Sequence, residues 1–259
     1  MDRCSLHPLD PAVVRRYADA LIGADVDLPP HDRAWAGQAM EQARRGYEAA
    51  RQGDETGANL VSQGLGRFLA AAHPSFLGDG VVPTVLEARI DRGVGMLVRP
   101  PARLFGDAGL ATMAARSMPI RLDLGRGGMG GAHVPARLVP DLERLIEART
   151  VRLLRRLAEA ELDAVPTLGL LIQACAYARE RNFGLYEAMD VFAPWTPGGS
   201  PPGAEVVWPD RSHLEPGLRR RLEEAAKPPK RPGLLQRLFG RRPQDGSISG
   251  NGHLPGQID

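Results

Sequence analysis

The chain has 259 residues, of which 43% are hydrophobic and 25% are charged, a composition typical of globular proteins with one large core or two small ones. It excludes disorder along the whole length. The formal net charge of +2 excludes the strong global field that draws basic proteins to nucleic acid, so electrostatic binding must come from local clusters.

Cysteine usage and the apolar pattern indicate the compartment. Cys4 and Cys175 are too few for a disulfide framework in a chain of this size, which favours a reducing environment. The start MDRCSLHPLDP lacks the apolar stretch of a signal peptide, and no run of about 18 apolar residues is present to form a transmembrane segment. We expect a cytoplasmic protein, with peripheral association at the inner face of a membrane as the alternative.

Three amphipathic helices are predicted in the first third of the chain. Each starts with an aspartate that is able to cap the first helical turn, and the apolar residues then recur at intervals of three and four. The third helix is rich in small residues, which favours close packing on its neighbour. We therefore expect a lead helix followed by a helical hairpin, with caps at Asp10, Asp32 and Asp54.

The middle of the chain changes character. The runs TVLEARI and VGMLV, separated by a turn at residues 91–93, predict a β-hairpin, although residues 83–89 also fit a helix. A helix is expected over about 101–116. The run MPIRLDL alternates apolar and polar residues as a half-buried strand does, and AHVPARLV is its expected partner. Pro135 then requires an edge position.

The last part of the chain returns to helical patterns. The clearest helix is predicted over 141–163, with one apolar and one charged face. Pro166 opens a second, strongly apolar helix that is expected at the centre of the core, with Cys175 buried. A final helix is expected over 216–226.

These elements predict an α+β fold that is predominantly helical, with one or two short β-hairpins and a disordered C-terminal tail. The Pro/Gly-rich run PWTPGGSPPG marks a linker, and the composition after residue 226 does not bury enough apolar surface to offset the entropy of ordering. The predicted organisation is a core domain over 1–192, a linker over 193–212, a short helix over 213–226 and a basic tail over 227–259.

A glycine-rich loop carries the spacing G-x-G-x-x-G at Gly125, Gly127 and Gly130. In dinucleotide-binding proteins this loop leads directly into a helix, and an acidic residue follows about 20 residues later. Here Pro135 and Pro140 intervene, and the position of the acidic residue falls inside a predicted helix. The pattern therefore does not indicate a dinucleotide site, and the loop either turns the chain or holds another anion.

The anion alternative depends on the residues around this loop. Successive backbone N–H groups of glycines are able to converge on an anion, and several cationic residues lie nearby, among them Arg137. A carboxylate or a phosphate would suit them, whereas the simpler interpretation is that arginine is the common surface charge of this chain. The candidate ligand-binding residues are Arg121, Gly125, Arg126, Gly127, Gly130 and His133.

Signatures of common enzymes are absent from the sequence. It contains no G-x-x-x-x-G-K-[ST], G-x-S-x-G, H-E-x-x-H or C-x-x-C motif, and the six histidines lack metal-ligand spacing. Of the histidines, we expect His73 and His133 in the folded interior. Glu187 and Asp190 lie one helical step apart and are expected to be solvated. No catalytic residue, metal ligand or cofactor is predicted, and a non-enzyme is favoured.

The tail contains a short basic amphipathic peptide, KPPKRPGLLQRLFGRRP. It is too short to form a stable isolated helix, so we expect it to become ordered only against a partner. A groove on a protein or an anionic membrane surface fits its apolar and cationic sides. Docking onto its own core, or no function, is the alternative. The candidate docking residues are Leu234, Leu235, Arg237, Leu238, Phe239, Arg241 and Arg242.

The function favoured by the sequence is that of an adaptor-like interaction protein whose C-terminal peptide docks to a protein partner or an anionic membrane. The first alternative is an enzyme or small-ligand sensor that binds an anionic metabolite at the loop 125–131. The second is a nucleic-acid-binding protein that uses the tail and four arginines, Arg144, Arg152, Arg155 and Arg156. This second alternative is disfavoured because Glu147 and Glu159 interrupt the arginines.

Overall fold

The computed structural model describes residues 4–24, 33–77, 91–110, 132–189, 191–192, 204–208, 210, 212, 214 and 216–227. All of these residues belong to one compact unit, Met1–Lys227. The expected strand MPIRLDL, the linker segment PWTPGGSPPG and the tail beyond Lys227 lie outside the described residues.

The first three helices form where the cap signals place them. Helix α1 spans Pro11–Leu21 and begins after Asp10, whose side chain accepts the Ala12 N–H at 2.8 Å. Helix α2 spans Arg33–Arg51, and α3 spans Glu55–Ala70. The lead helix and the helical hairpin are thereby confirmed, while the Asp32 cap lies outside the described residues.

Helices α2 and α3 approach each other closely at two glycines. A Cβ atom added to Gly46 or to Gly57 would collide with the backbone of the opposing helix. The Asp54 side chain accepts the Thr56 N–H at 2.8 Å and so begins α3 directly after the short connection. The small residues of the third predicted helix therefore do allow the tight packing that the sequence indicates.

Within the described residues, five short strands form one mixed sheet in the order β3-β4-β1-β2-β5. Strand β1 pairs antiparallel with β4 and β2, β3 pairs antiparallel with β4, and β2 pairs parallel with β5. The strands are β1, Cys4–Leu9; β2, Ser75–Leu77; β3, His133–Val134; β4, Gly184–Met189; and β5, Val206–Val207.

The second helical group follows the sheet-forming middle region. Helix α4 spans Leu104–Asp107, α5 spans Val139–Glu159, α6 spans Ala164–Arg181 and α7 spans Pro216–Ala226. The last of these has the predicted bounds, and Cys175 is buried in α6 as expected. The α+β, predominantly helical class is confirmed. Among the described helices, none is long and apolar enough to cross a membrane.

The sheet lies between the two helical groups. Because successive strand residues point to opposite faces, Leu9 and Tyr186 pack with the residues of α1–α3, whereas Leu6 and Leu185 pack with those of α5–α7. Each face thus has its own apolar core. The polar residues His7, Tyr186 and His133 lie on the face covered by α1–α3.

Between residues 84 and 116, the sequence predicts a β-hairpin and a helix. Both predictions are wrong for the residues that the structure describes there, 91–110. Residues Arg92–Met96 form a 3-10 turn rather than a strand, because the Asp91 carboxylate accepts the Gly93 N–H at 2.8 Å and is itself held by Arg149 at 2.6 Å. The helix expected from Pro101 is a 3-10 turn followed by α4, which gives way to Gly109 at φ +85°.

Other boundaries and burial states also differ from expectation. Glu187 lies in strand β4 and is buried, not solvated on a helix. His7 is fully buried as well, although the sequence indicates only His73 and His133 as interior histidines. Helix α5 ends at Glu159, so that Ala160 lies beyond it and is exposed.

Candidate functional site

A row of polar residues crosses the sheet on the face that α3 covers. His133 on β3 lies opposite Tyr186 on β4, which in turn lies opposite His7 on β1. Directly opposed residues of antiparallel strands project from the same face. The Tyr186 hydroxyl donates to the Ser62 carbonyl oxygen of α3 at 3.0 Å, which fixes the middle of the row.

His133 is at the end of this row and forms a dyad with Asp107. The imidazole Nε2 lies 3.0 Å from the Asp107 Oδ2, and the side chains are 0% and 12% exposed, respectively. Helix α4 ends at Asp107 and so presents the carboxylate to β3. Since a carboxylate only accepts hydrogen bonds, the Nε2–H of His133 donates to it.

The His133 ring is neutral at neutral pH. Desolvation lowers its pKa; the hydrogen bond and the charge of Asp107 oppose this effect, and the charges of Arg99 and Arg103 reinforce it. In a neutral ring with a protonated Nε2, Nδ1 carries a lone pair. Within the described part of the chain this buried Nδ1 has no hydrogen-bond partner. The dyad thus leaves a buried acceptor unused.

Three arginines surround the dyad. Arg99 forms an antiparallel bridge with His133, with N···O distances of 2.7 and 3.0 Å, so that the two side chains start from adjacent positions on one face. The Arg137 Nη1 lies 3.6 Å from Asp107 Oδ1. We call the group Arg99, Arg103, Asp107, His133 and Arg137 the arginine–histidine cluster. It has three guanidinium groups against one carboxylate.

Arg99 contributes a second unused polar atom. Its Nε is buried without a hydrogen-bond partner, and no ion pair joins Arg99 to a carboxylate among the described residues. Buried polar atoms are nearly always paired, because an unpaired donor costs about 1–3 kcal/mol. The cluster therefore contains an unpaired buried donor and an unpaired buried acceptor on adjacent side chains.

Prolines shape the backbone of the cluster. Arg99 precedes Pro100, which favours the extended conformation that its bridge to His133 needs. The strand expected over AHVPARLV is limited to His133–Val134, which pairs with β4, and Pro135 follows it outside the strand. The 3-10 turn Ala136–Leu138 comes next and carries Arg137 towards Asp107.

Part of this cluster is predictable from the sequence. The glycine-rich loop indicates His133 as a ligand-binding residue, with Arg137 nearby. Asp107 precedes His133 by 26 residues, and no motif connects the two. The sequence pattern therefore does not indicate Asp107, Arg99 or Arg103. The remaining candidates lie outside the described residues: Arg121, Gly125, Arg126, Gly127, Gly130, Leu234, Leu235, Arg237, Leu238, Phe239, Arg241 and Arg242.

Two further histidine networks are better explained by structure than by ligand binding. His7 Nε2 is 2.8 Å from the Ser5 Oγ, and His7 Nδ1 is 2.9 Å from the Ser75 Oγ. The Ser5 hydroxyl donates to the Ala188 carbonyl oxygen at 3.3 Å. A neutral His7 therefore satisfies both neighbours, and its burial lowers its pKa to about 3. This network is closed to solvent.

The other network joins His73 to Asp10 and Tyr177. The Nε2 of His73 lies 3.1 Å from Asp10 Oδ2, and its Nδ1 lies 3.5 Å from the Tyr177 hydroxyl. Asp10 also caps α1, so this contact ties the end of α3 to the start of α1. No group of three or more residues able to hold a metal ion occurs in the described ranges.

Comparison with known proteins adds no functional assignment. No family model matches the chain, and neither a curated protein nor a solved structure shows significant similarity to it.

Proposed function

We propose that the protein binds a small anionic metabolite at the arginine–histidine cluster, as a ligand sensor or as an enzyme. The observation that carries this proposal is the buried Nε of Arg99, a charged donor without a partner in the described part of the chain. An anion that accepts from this group removes the cost of an unmet buried donor and gains a charge-assisted hydrogen bond.

The charge balance of the cluster supports the same function. Asp107 is shared between His133 and Arg137, at 3.0 and 3.6 Å, so one carboxylate serves two cationic or donor groups. Arg103 makes no ion pair with a described residue, and neither does Arg99. A bound anion supplies the negative charge that these guanidinium groups lack.

The glycine loop belongs to this proposal through the chain connection. Residues 125–131 lead directly into Ala132 and β3, which carries His133. The loop residues Arg121 and Arg126, together with glycine N–H groups, are the proposed remaining ligand contacts.

The test is isothermal titration of the full chain with inorganic phosphate and with acetate at constant ionic strength. Wild type is expected to bind at least one of these anions, and Arg99→Gln is expected to weaken that binding by about tenfold or more. The matched control is Arg155→Gln, an exposed arginine of α5. Equal loss in both variants, or no heat from wild type up to millimolar anion, contradicts the proposal.

A second function is proposed from the sequence of the tail. The combination of apolar and arginine residues between Leu234 and Arg242 supports docking to an anionic membrane surface or to a protein groove. Vesicles of phosphatidylserine and phosphatidylcholine are expected to retain the full chain, and a chain truncated after Lys227 is expected to remain unbound. If the truncated chain is retained equally well, docking by the tail is wrong.

The nucleic-acid alternative is weakened by the contacts of two of its arginines on α5. Arg144 contacts Asp141, and the Arg152 Nε lies 3.7 Å from the buried Asp91 Oδ2, so both arginines have an acidic neighbour within the protein. An interface for phosphates requires cationic groups that are available to them. We therefore do not propose it.

A further inference from the structure

The hydrogen-bonding roles inside the arginine–histidine cluster are unequal. Arg99, Arg103 and Arg137 only donate, since a guanidinium has no acceptor. His133 donates from Nε2 to Asp107 and keeps Nδ1 as an acceptor. A ligand that fills this site therefore meets several donors and one buried acceptor.

This combination discriminates between anions by their protonation. A fully deprotonated oxyanion has lone pairs on every oxygen and leaves Nδ1 of His133 facing another lone pair. An anion that carries a hydroxyl group accepts from the arginines with its charged oxygens and donates its own O–H to Nδ1. The second kind satisfies every polar group of the site, and the first does not.

We propose, on the basis of the anion-binding function above, that the site selects an anion bearing a hydroxyl group. Two chemical sources meet this requirement: a protonated phosphate and a hydroxycarboxylate. Asp107 acts as a positioning residue in this scheme, because it determines which ring nitrogen of His133 holds the proton. His133 supplies the contact that distinguishes the ligands.

The experiment compares two pairs of probes of similar shape on the full chain at pH 7.5. Inorganic phosphate retains an O–H at this pH, whereas sulfate does not; glycolate has a hydroxyl group, whereas acetate does not. Wild type is expected to favour the hydroxyl-bearing member of at least one pair by about fivefold or more. Discrimination in the phosphate pair identifies a protonated phosphate, and in the glycolate pair a hydroxycarboxylate.

Variants separate the acceptor from the general affinity for anions. His133→Leu removes Nδ1 and is expected to equalise the probes of the discriminating pair, while binding of sulfate or acetate changes less than that of its partner. In Asp107→Asn the carboxylate that fixes the tautomer of His133 is lost. This variant is expected to show a smaller preference for the hydroxyl-bearing probe. A preference that persists in His133→Leu overturns the inference.

A measurement on the wild-type protein tests the same inference without requiring any variant to fold. The ¹⁵N resonance of His133 Nδ1 is expected to shift on addition of the hydroxyl-bearing probe and not on addition of its partner. If both members of each pair bind equally and the resonance does not distinguish them, the selectivity is wrong and the anion-binding function stands. If no probe binds, the anion-binding function itself is wrong.

Discussion

His133 and Tyr186 lie directly opposite each other across the β3–β4 pair, and the same tyrosine faces His7 across β4–β1. Both imidazoles are fully buried, and desolvation lowers the pKa of each. Protonation of either ring places a charge between the sheet and the helices α1–α3. The stability of this layer therefore depends on the protonation of two rings on one row.

We predict that acid destabilises the protein through His7. Burial lowers the pKa of His7 from 6.5 to about 3, so between these values the unfolded chain binds the proton and the folded chain does not. The free energy of unfolding is therefore unaffected by His7 above pH 6.5 and falls as the pH is lowered towards 3. At about pH 4.5 the loss is about 2–3 kcal/mol.

Urea unfolding of wild type and His7→Asn at several pH values measures this effect. The asparagine does not titrate, so its free energy of unfolding is expected to fall less steeply below pH 6.5, with His133 contributing to the slope that remains. Parallel pH profiles for the two proteins contradict the assignment to His7.

The contact between α2 and α3 predicts a contrast between two glycines. Gly57→Ala places a Cβ against the Gly46 carbonyl oxygen and 2.7 Å from the Ala50 amide nitrogen, both of them backbone atoms. We expect a loss of about 1–3 kcal/mol in the free energy of unfolding. Gly106→Ala meets nothing within 4 Å and is expected to be neutral or to stabilise by about 0.5–1 kcal/mol. Equal effects of the two substitutions would contradict this packing.

The two cysteines are predicted to react at different rates. Cys175 is buried, and desolvation, together with the charge of Glu143, raises the pKa of its thiol; Cys4 is partly exposed. Ellman's reagent is expected to modify Cys175 at least about 10³-fold more slowly in the native protein than in urea. Cys4→Ser should abolish the fast native phase, and Cys175→Ser should retain it. A fast phase in Cys4→Ser would show that the α6 core opens readily.

Asp10 is predicted to stabilise the protein in two ways. One oxygen caps α1 through the Ala12 N–H, and the other accepts from His73. Asp10→Ala removes both contacts and is expected to cost about 1–2 kcal/mol, whereas Asp10→Asn retains the cap and is expected to cost less. Chemical denaturation of both variants checks this order. An equal cost for both would mean that capping contributes nothing.

Local signals explain why the helices were predictable. The caps at Asp10 and Asp54 lie within two residues of the amides that they bind, and the apolar repeats lie within the helices themselves. Strand β1 lacked such a signal, because Ser5 and His7 are polar residues on a buried face. Their partners, Ser75 and the Ala188 carbonyl, lie far along the chain. Sequence patterns predict buried strands from their apolar residues. A strand with polar residues on its buried face is therefore missed.

The candidate site also depends on one local signal and on contacts between residues that are distant in the sequence. His133 is predictable because it follows a glycine-rich loop, which is a local feature of the sequence. Its pairing with Asp107 depends on where α4 ends, and α4 is much shorter than the sequence indicates. The contribution of Arg99 depends on one isolated β-bridge to His133, which no periodic sequence pattern predicts.

The central position of β1 has a consequence for the order of folding. Its neighbour β4 lies on the order of 180 residues further along the chain, and the Ser5–Ala188 contact spans a separation of 183. Closing so long a loop costs entropy before any sheet contact compensates for it. The helical hairpin of α2 and α3 is expected to assemble early from local contacts. Completion of the sheet then becomes the slow, topology-limited step, during which both edges of β1 are open to aberrant pairing with other molecules.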